Sequence, residues 1–324
     1  MTPPPDRPAS GFGPLYPALA GASVLSLMEH SPAAVAAVLN SADMLSRTPR
    51  RAWPKLLSGR MIALIFERPS TRTRVSFEVG ITHLGGHALV LAGRDMQMGR
   101  GETLEDTAKV LSRMVDAIVL RTGAHETLEE LDLHSTVPVI NSLSYAHHPC
   151  QALADALTLK QRFGALSGLR VAYVGDGNNC CVSLMVVGAL TGMEIVAACP
   201  AGYEPDPEIV AWCRRMGQTT GGGAWVVDDA YAAVTDAQGI YTDTWISMGD
   251  EDQADRRRRD LSPYRVDADL LAAAAPDAIV LHCLPAHHGE EITYEVLHGP
   301  RSAVWTQAEN RIHAQAALLG HILA

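Results

Sequence analysis

Short apolar runs alternate with longer stretches in which apolar positions return every three or four residues, and this rhythm holds through most of the chain. The runs Met61–Phe66, His87–Leu91, Ala117–Leu120, Val137–Ile140, Arg170–Val174, Glu194–Cys199, Ala224–Val227, Gly239–Thr242 and Ala278–His282 read as buried strands. Between them Thr71–His83, Thr103–Met114, His125–Leu133, Pro149–Phe163, Asn178–Thr191, Pro207–Met216 and Tyr231–Ala237 carry the helical period, and a last helix runs from about Gln307 to the C-terminus. Such alternation predicts an α/β protein with parallel sheets covered by helices on both faces. The strands fall into one group before His148 and another after it. Two doubly wound parallel-sheet domains are therefore expected, over residues 1–148 and 149–300, joined by interdomain helices. Residues 301–324 are expected to form a helix returning to the first domain. Residues 1–15 open on Met1-Thr-Pro-Pro-Pro and are expected to be disordered. In sheets of this kind ligands bind at the carboxyl ends of strands, so the active site is expected in the cleft between the domains.

The chain has 324 residues, 47% hydrophobic and 19% charged, with a net charge of −10. That balance fits a globular protein with a large core and argues against nucleic acid as a partner. Arg256–Arg259 is a local basic exception, but Glu251, Asp252, Asp255 and Asp260 flank it, and it reads as a self-paired, solvated surface loop. The six cysteines show neither CxxC spacing nor a zinc pattern, which points to reduced thiols in a cytoplasmic protein. Nothing resembles a signal peptide or a membrane span; the most apolar stretch, Cys180–Pro200, is interrupted by Gly188, Gly192 and Glu194 and reads as a buried helix plus strand.

Polar residues at the strand ends supply the candidate chemistry. Ser70-Thr71-Arg72-Thr73-Arg74 follows an apolar strand and opens a helix. Hydroxyls there cap free backbone N–H groups, and those groups with the helix dipole make an anion site. Arg72 and Arg74 suit a phosphate, which a guanidinium fork grips in two places. The same pattern also serves a plain N-cap followed by solvated arginines. His148-Pro149-Cys150-Gln151 places a histidine just ahead of a helix whose first residue is proline. That histidine can donate to a carbonyl oxygen or simply cap the helix. Asp243, with Ser247 and a glycine-bearing loop after it, suits an amino-acid ammonium group, or caps the next turn. Cys283, in His282-Cys283-Leu284-Pro285, is a nucleophile or a small packing residue, and no triad spacing supports covalent catalysis. Gly175-Asp176-Gly177-Asn178-Asn179 suggests a dinucleotide turn but has Cys180 where the third glycine belongs. Glu309-Asn310-Arg311 is a further anion contact or an exposed polar turn.

Taken together, Phe66–Arg74, His148–Gln151, Asp243–Gly249, His282–Ala286 and Ala308–Arg311 resemble, in order and separation, the signatures of the aspartate/ornithine carbamoyltransferase family, and the Ser247-Met248-Gly249 loop resembles its ornithine branch. The resemblance covers roughly residues 25–320. It implies transfer of the carbamoyl group of carbamoyl phosphate to the δ-amine of L-ornithine, giving L-citrulline and phosphate in arginine biosynthesis, with no metal or organic cofactor. It implies that Ser70, Thr71, Arg72 and Thr73 bind the phosphate, that Arg121 holds phosphate and carbonyl oxygens, and that His148 and Gln151 bind the carbamoyl end. Cys283 and Leu284 fall where the family contacts its substrates, and Arg311 completes the anion site. Asn179, Asp243, Ser247 and Met248 fall where it holds ornithine. Arg121, His148, Asp243 and Cys283 are thereby implied as the catalytic group. The family forms trimers or multiples of trimers, in which Gln97 would serve a neighbouring subunit's site. The chain departs from the family pattern at Arg68 (often Lys), Tyr145 (often Asp) and Val182 (usually His), and Cys180-Cys181 is unusual for that helix. Those departures on the ornithine side leave open another amine acceptor, such as a modified ornithine, lysine or putrescine.

Overall fold

The computed structural model describes residues 11–93, 96–97, 101–247 and 251–324. The chain divides into two compact units. The first comprises Met1–Leu25, Ala33–Ser144 and Asn310–Ala324, the second Ser26–Pro32 and Tyr145–Glu309. Sequence reading sets the corresponding divisions at 148/149 and 300/301; in the structure they fall at 144/145 and 309/310.

The elements that build the first unit are α1 (Pro32–Arg47), β1 (Met61–Phe66), α2 (Thr71–His83), β2 (His87–Ala92), α3 (Leu104–Leu111), β3 (Ala117–Arg121), α4 (His125–His134) and β4 (Val139–Leu143). The strand order is β2-β1-β3-β4, with every pair parallel. Ile62–Phe66 and all of β3 are buried, which is why these strands read as unbroken apolar runs rather than alternating ones. The order reverses between β1 and β3, so the open crevice at the carboxyl edge lies between the turn after Phe66 and Arg121. A register shift between Leu120 and Arg121 bulges β3 at that point, and bulges re-aim side chains.

The second unit carries α5 (Pro149–Phe163), β5 (Arg170–Val174), α6 (Asn179–Thr191), β6 (Glu194–Ala198), α7 (Pro207–Thr220), β7 (Gly223–Val227), α8 (Ala230–Val234), β8 (Gly239–Thr242), α9 (Ala254–Leu261), α10 (Ala268–Ala272), β9 (Ile279–His282) and α11 (Tyr294–Leu297). The strands lie in the order β7-β6-β5-β8-β9, again all parallel. Here the order reverses between β5 and β8, which puts Gly175–Asn178 and Asp243 at the crevice. Cys180–Leu190 of α6 is buried on every side, as expected of the apolar stretch that continues into β6. A last helix, α12 (Val304–Leu323), starts in the second unit and ends in the first.

The structure corrects three expectations. Residues 1–10 of the expected disordered start lie outside the described residues, but the disorder does not extend over 11–15: Phe12 is 2% exposed, with its ring 5.1 Å from that of His321. The arginine run is a helix, α9, not a solvated loop. Its Arg257 is 8% exposed, forms an ion pair with Asp176, donates to the Trp245 carbonyl at 2.5 Å and lies over the Tyr203 ring at 5.1 Å. The third concerns Arg74, which turns along its own helix to Glu78 at 2.8 Å with more than half its side chain exposed, the solvated-arginine alternative for that residue. The helix α1 went unread, although Val35, Val38, Leu39, Ala42 and Leu45 recur at helical spacing and Pro32 opens it.

Candidate functional site

In the first unit Ser70 and Arg311 meet at Thr73. Ser70 is the N-cap of α2, and its hydroxyl accepts from the Thr73 backbone N–H. Such a cap is worth about 1 kcal/mol. The Ser70 hydroxyl donates to Thr73 Oγ1 at 2.9 Å, and Arg311 Nη2, from α12, donates to the same oxygen at 2.8 Å. Two donors occupy the acceptor capacity of Thr73 Oγ1, so its own proton is the hydrogen-bonding capacity that remains. Thr73 is fully buried and Arg311 is 3% exposed. Among the described residues Arg311 has no carboxylate partner, and its Nε is a buried N–H without an acceptor. Thr71 is exposed and Arg72 half-buried in the same helix turn. Arg121, buried at the end of β3, passes its carbonyl to the Glu67 N–H at 3.1 Å, while Glu67 accepts from the Thr122 hydroxyl at 2.5 Å. These bonds pin the two strand ends that flank the crevice. Gln97 is exposed.

In the second unit His148 is the residue ahead of Pro149 in α5; it is 1% exposed, and its backbone N–H donates to Ser183 Oγ at 2.7 Å. One turn on, Gln151 donates to Asp155 at 2.8 Å and accepts from the Cys283 thiol at 3.7 Å. Asp155 also accepts from Gln307 at 2.6 Å, and Gln307 accepts from the His282 backbone N–H at 2.9 Å. A buried polar chain thus fixes the end of β9 to the start of α5. Asp155 and Gln307 escaped sequence reading, because each sits on a helix face whose neighbours look like ordinary core.

Asp243 follows β8 and is 7% exposed. Asn178 Nδ2 donates to its carboxylate at 3.0 Å, while Asn178 Oδ1 accepts from the backbone N–H groups of Cys180 and Cys181 at 2.9 and 3.2 Å and from the Tyr173 hydroxyl at 3.1 Å. Asn178, which sequence reading did not single out for the ornithine side, donates to Asp243; Asn179 sits half-buried at the first position of α6. The turn is tight because Gly177 brings its backbone onto Tyr203, donating to that carbonyl at 2.8 Å, where a Cβ would lie 2.4 Å from Pro205 N. Burial pushes the Asp243 carboxyl above its ordinary value, against the opposing pull of His282, the Thr244 N–H, Cys180 and Asn178. Among the described residues no Lys or Arg pairs with it. Ser247 is half-buried on the following loop, and Met248 lies outside the described residues.

Cys180 Sγ, Cys283 Sγ and an Asp243 carboxylate oxygen lie within 4.8 Å of one another, and among the described residues this is the one cluster with donors enough to hold a metal ion. The Cys180 thiol is pushed well up by its hydrogen bond to Cys283, by burial and by the Asp243 charge. Leu284 adopts φ 61°, a conformation costing a Cβ-bearing residue on the order of 1–2 kcal/mol, and its N–H donates to His282 Nδ1 at 2.8 Å. With Nδ1 accepting, His282 carries its proton on Nε2, 3.1 Å from the fully buried Glu291. Burial raises the Glu291 carboxyl, but the hydrogen bonds from His282 and the His287 N–H outweigh it and leave the group below its ordinary value. A lowered carboxyl contributes stability above about pH 4.5 that is lost as pH falls through the folded value. Glu291→Gln is expected to lower stability by about 1–3 kcal/mol at pH 7. Urea midpoints should converge with those of the parent protein below about pH 4.5, and a constant gap would contradict the assignment.

The chain resembles known proteins over most of its length. Residues 22–161 match the family model for the aspartate/ornithine carbamoyltransferase carbamoyl-P binding domain, and residues 167–322 match its Asp/Orn binding domain. The chain is 55% identical over 293 residues to an ornithine carbamoyltransferase of Acidothermus cellulolyticus, covering 90% of this chain and 94% of that one. It is 48% identical over 306 residues to the anabolic ornithine carbamoyltransferase of Pyrococcus furiosus, covering 94% and 97%. The solved structure of an ornithine carbamoyltransferase from Pyrococcus furiosus superposes with a TM-score of 0.91, at 48% identity, over 94% of this chain and 98% of that one.

Proposed function

Because the chain belongs to the aspartate/ornithine carbamoyltransferase family, we propose that it transfers the carbamoyl group of carbamoyl phosphate to the δ-amine of L-ornithine, giving L-citrulline and phosphate in the anabolic direction that leads to arginine. The observation that carries the amine half is Asp243, a buried carboxylate with no Lys or Arg partner among the described residues. A substrate ammonium group supplies the missing charge. Ornithine brings one at each end; Asp243 with Asn179, Ser247 and Met248 holds the amino acid, and Asn178 orients Asp243.

The first unit binds the phosphate. Ser70, Thr71, Arg72, Thr73 and Arg311 surround it with backbone N–H groups, hydroxyl protons and guanidinium forks, and Arg121 grips both phosphate and carbonyl oxygens. His148 and Gln151 hold the carbamoyl end, with Cys283 and Leu284 beside it. The δ-amine has a free pKa of about 10, so at neutral pH it is mostly protonated and inert until its proton is removed. The neutral nitrogen attacks the carbonyl carbon, the carbon–oxygen bond to phosphate breaks, and the departing phosphate takes the proton. Charge developing on the carbonyl oxygen calls for hydrogen-bond donors, the role proposed for Thr73, Arg121 and His148; one such donor is typically worth about 3–4 kcal/mol. Cys283 and Asp243 orient the attacking amine.

No described helix is long and apolar enough to cross a membrane. The six free cysteines fit a cytoplasmic location. A homotrimer, or a multiple of it, is the assembly proposed, with the exposed Gln97 serving a neighbouring site.

Steady-state assays with carbamoyl phosphate and a panel of amines test the reading. Ornithine should be the best acceptor, with citrulline formed in step with phosphate and a rate that rises from pH 6 to 9 as the amine deprotonates. Preference for lysine, putrescine or a modified ornithine would replace ornithine as the substrate.

A further inference from the structure

We propose that Cys180 and Cys283 are an oxidisable dithiol, which a hydroperoxide closes to a reversible disulfide inside the substrate site. Their sulfurs share a cluster no wider than 4.8 Å, and both are held there. Cys180 is fixed by the first turn of α6, where its backbone N–H bonds to Asn178 at 2.9 Å; Cys283 ends β9 with its thiol on Gln151 at 3.7 Å. Cys283 is also the single cysteine of the chain that is not buried. Cys181, Cys199 and Cys213 form a second thiol group, but at 0%, 2% and 0% exposure no reagent in solution reaches them. Access and proximity therefore select one pair.

Cys283 sulfur attacks the peroxide, the O–O bond breaks, an S–O bond forms, and the displaced oxygen leaves as water or an alcohol with the thiol proton. Cys180 sulfur then attacks the sulfenic sulfur of Cys283; the S–S bond forms, the S–O bond breaks, and the hydroxyl leaves as water with the Cys180 proton. Each sulfur loses one electron, and the peroxide gains two. The bond would draw Cys283 away from Gln151 and consume the thiol beside Asp243. Cys180 thereby acquires a role: it traps Cys283 at a reducible stage before oxidation to sulfinic acid.

The whole reduced protein, in chelator, is treated with hydrogen peroxide, digested without reductant and analysed by mass. The peptides bearing Cys180 and Cys283 should be found joined, lighter than their sum by two hydrogens. Citrulline formation should be lost in step with that product and restored by dithiothreitol. In Cys180→Ser, Cys283 should pass to sulfinic acid, and the activity lost, relative to the variant's own starting rate, should not return. Oxidised Cys283 without the joined peptide would overturn the proposal, as would full recovery of the oxidised Cys180→Ser protein. The activity arm rests on the function proposed above, whereas the peptide map does not, so the two can fail separately.

Discussion

Asp243→Asn is expected to raise the KM for ornithine by about 30-fold to 1,000-fold, the loss of about 2–4 kcal/mol that follows removal of one partner of a buried charge pair. Phosphate binding should be unchanged, since no hydrogen bond of the Thr73 group involves Asp243. The same substitution should stabilise the protein without substrate. Burial lifts the Asp243 carboxyl above its ordinary value, so in the folded state the charged form is disfavoured relative to the unfolded chain. The ionised group thus costs stability at neutral pH, and the cost fades as pH falls through the raised value. Thermal melts should therefore place Asp243→Asn above the parent protein at pH 7, with the difference narrowing towards acid pH. Loss of stability together with loss of ornithine binding would instead make Asp243 a structural residue, needed by Asn178 and the turn it caps.

The strands were legible because parallel sheets covered on both faces bury whole runs, as β1 and β3 show, and an unbroken apolar run is hard to mistake. Their carboxyl ends, and hence Arg121, Asp243 and Cys283, could be located from the sequence for the same reason. What escaped notice depends on contacts between residues distant in the chain. Arg257 lies in a run of four arginines with acidic neighbours, and nothing local separates it from Arg256 or Arg258; only the fold brings it to Asp176 and Trp245. Asp155 and Gln307 are 152 positions apart, and their hydrogen bond has no local signature. Asn178 and Asn179 are adjacent and alike. Which of them caps the helix is settled by the backbone of the turn, so the sequence cannot rank them for contact with Asp243. The arginines at the start of α2 are a similar case, because an i, i+4 glutamate was in reach of Arg74 all along and claimed it.

Arg311→Met should remove most of the protection by phosphate while leaving the substrate-free protein as stable as before or more so. Arg311 is a charge at 3% exposure whose single hydrogen-bond acceptor among the described residues is the neutral Thr73 hydroxyl. Burying a guanidinium without a counter-ion is unfavourable, and replacing buried ions by apolar side chains of similar length is often neutral or stabilising. Asp243 is the mirror image, a buried carboxylate that pairs with no Lys or Arg among the described residues. Each unit therefore holds an uncompensated charge opposite in sign to the substrate group assigned to it, and binding supplies the compensation. For the parent protein, inorganic phosphate or carbamoyl phosphate at about 100 times its Kd should add about 2.7 kcal/mol, read as a rise of several degrees in Tm. In Arg311→Met the rise should fall to about a third or less at the same ligand concentration, as a loss of about 2–4 kcal/mol in binding requires. Thr73→Val is the control: it keeps the arginine but removes both its acceptor and the hydroxyl proton, and should cost about 1.5–3 kcal/mol. Undiminished phosphate protection in Arg311→Met would mean that the helix turn and Arg121 hold the anion by themselves, with Arg311 acting only to brace Thr73.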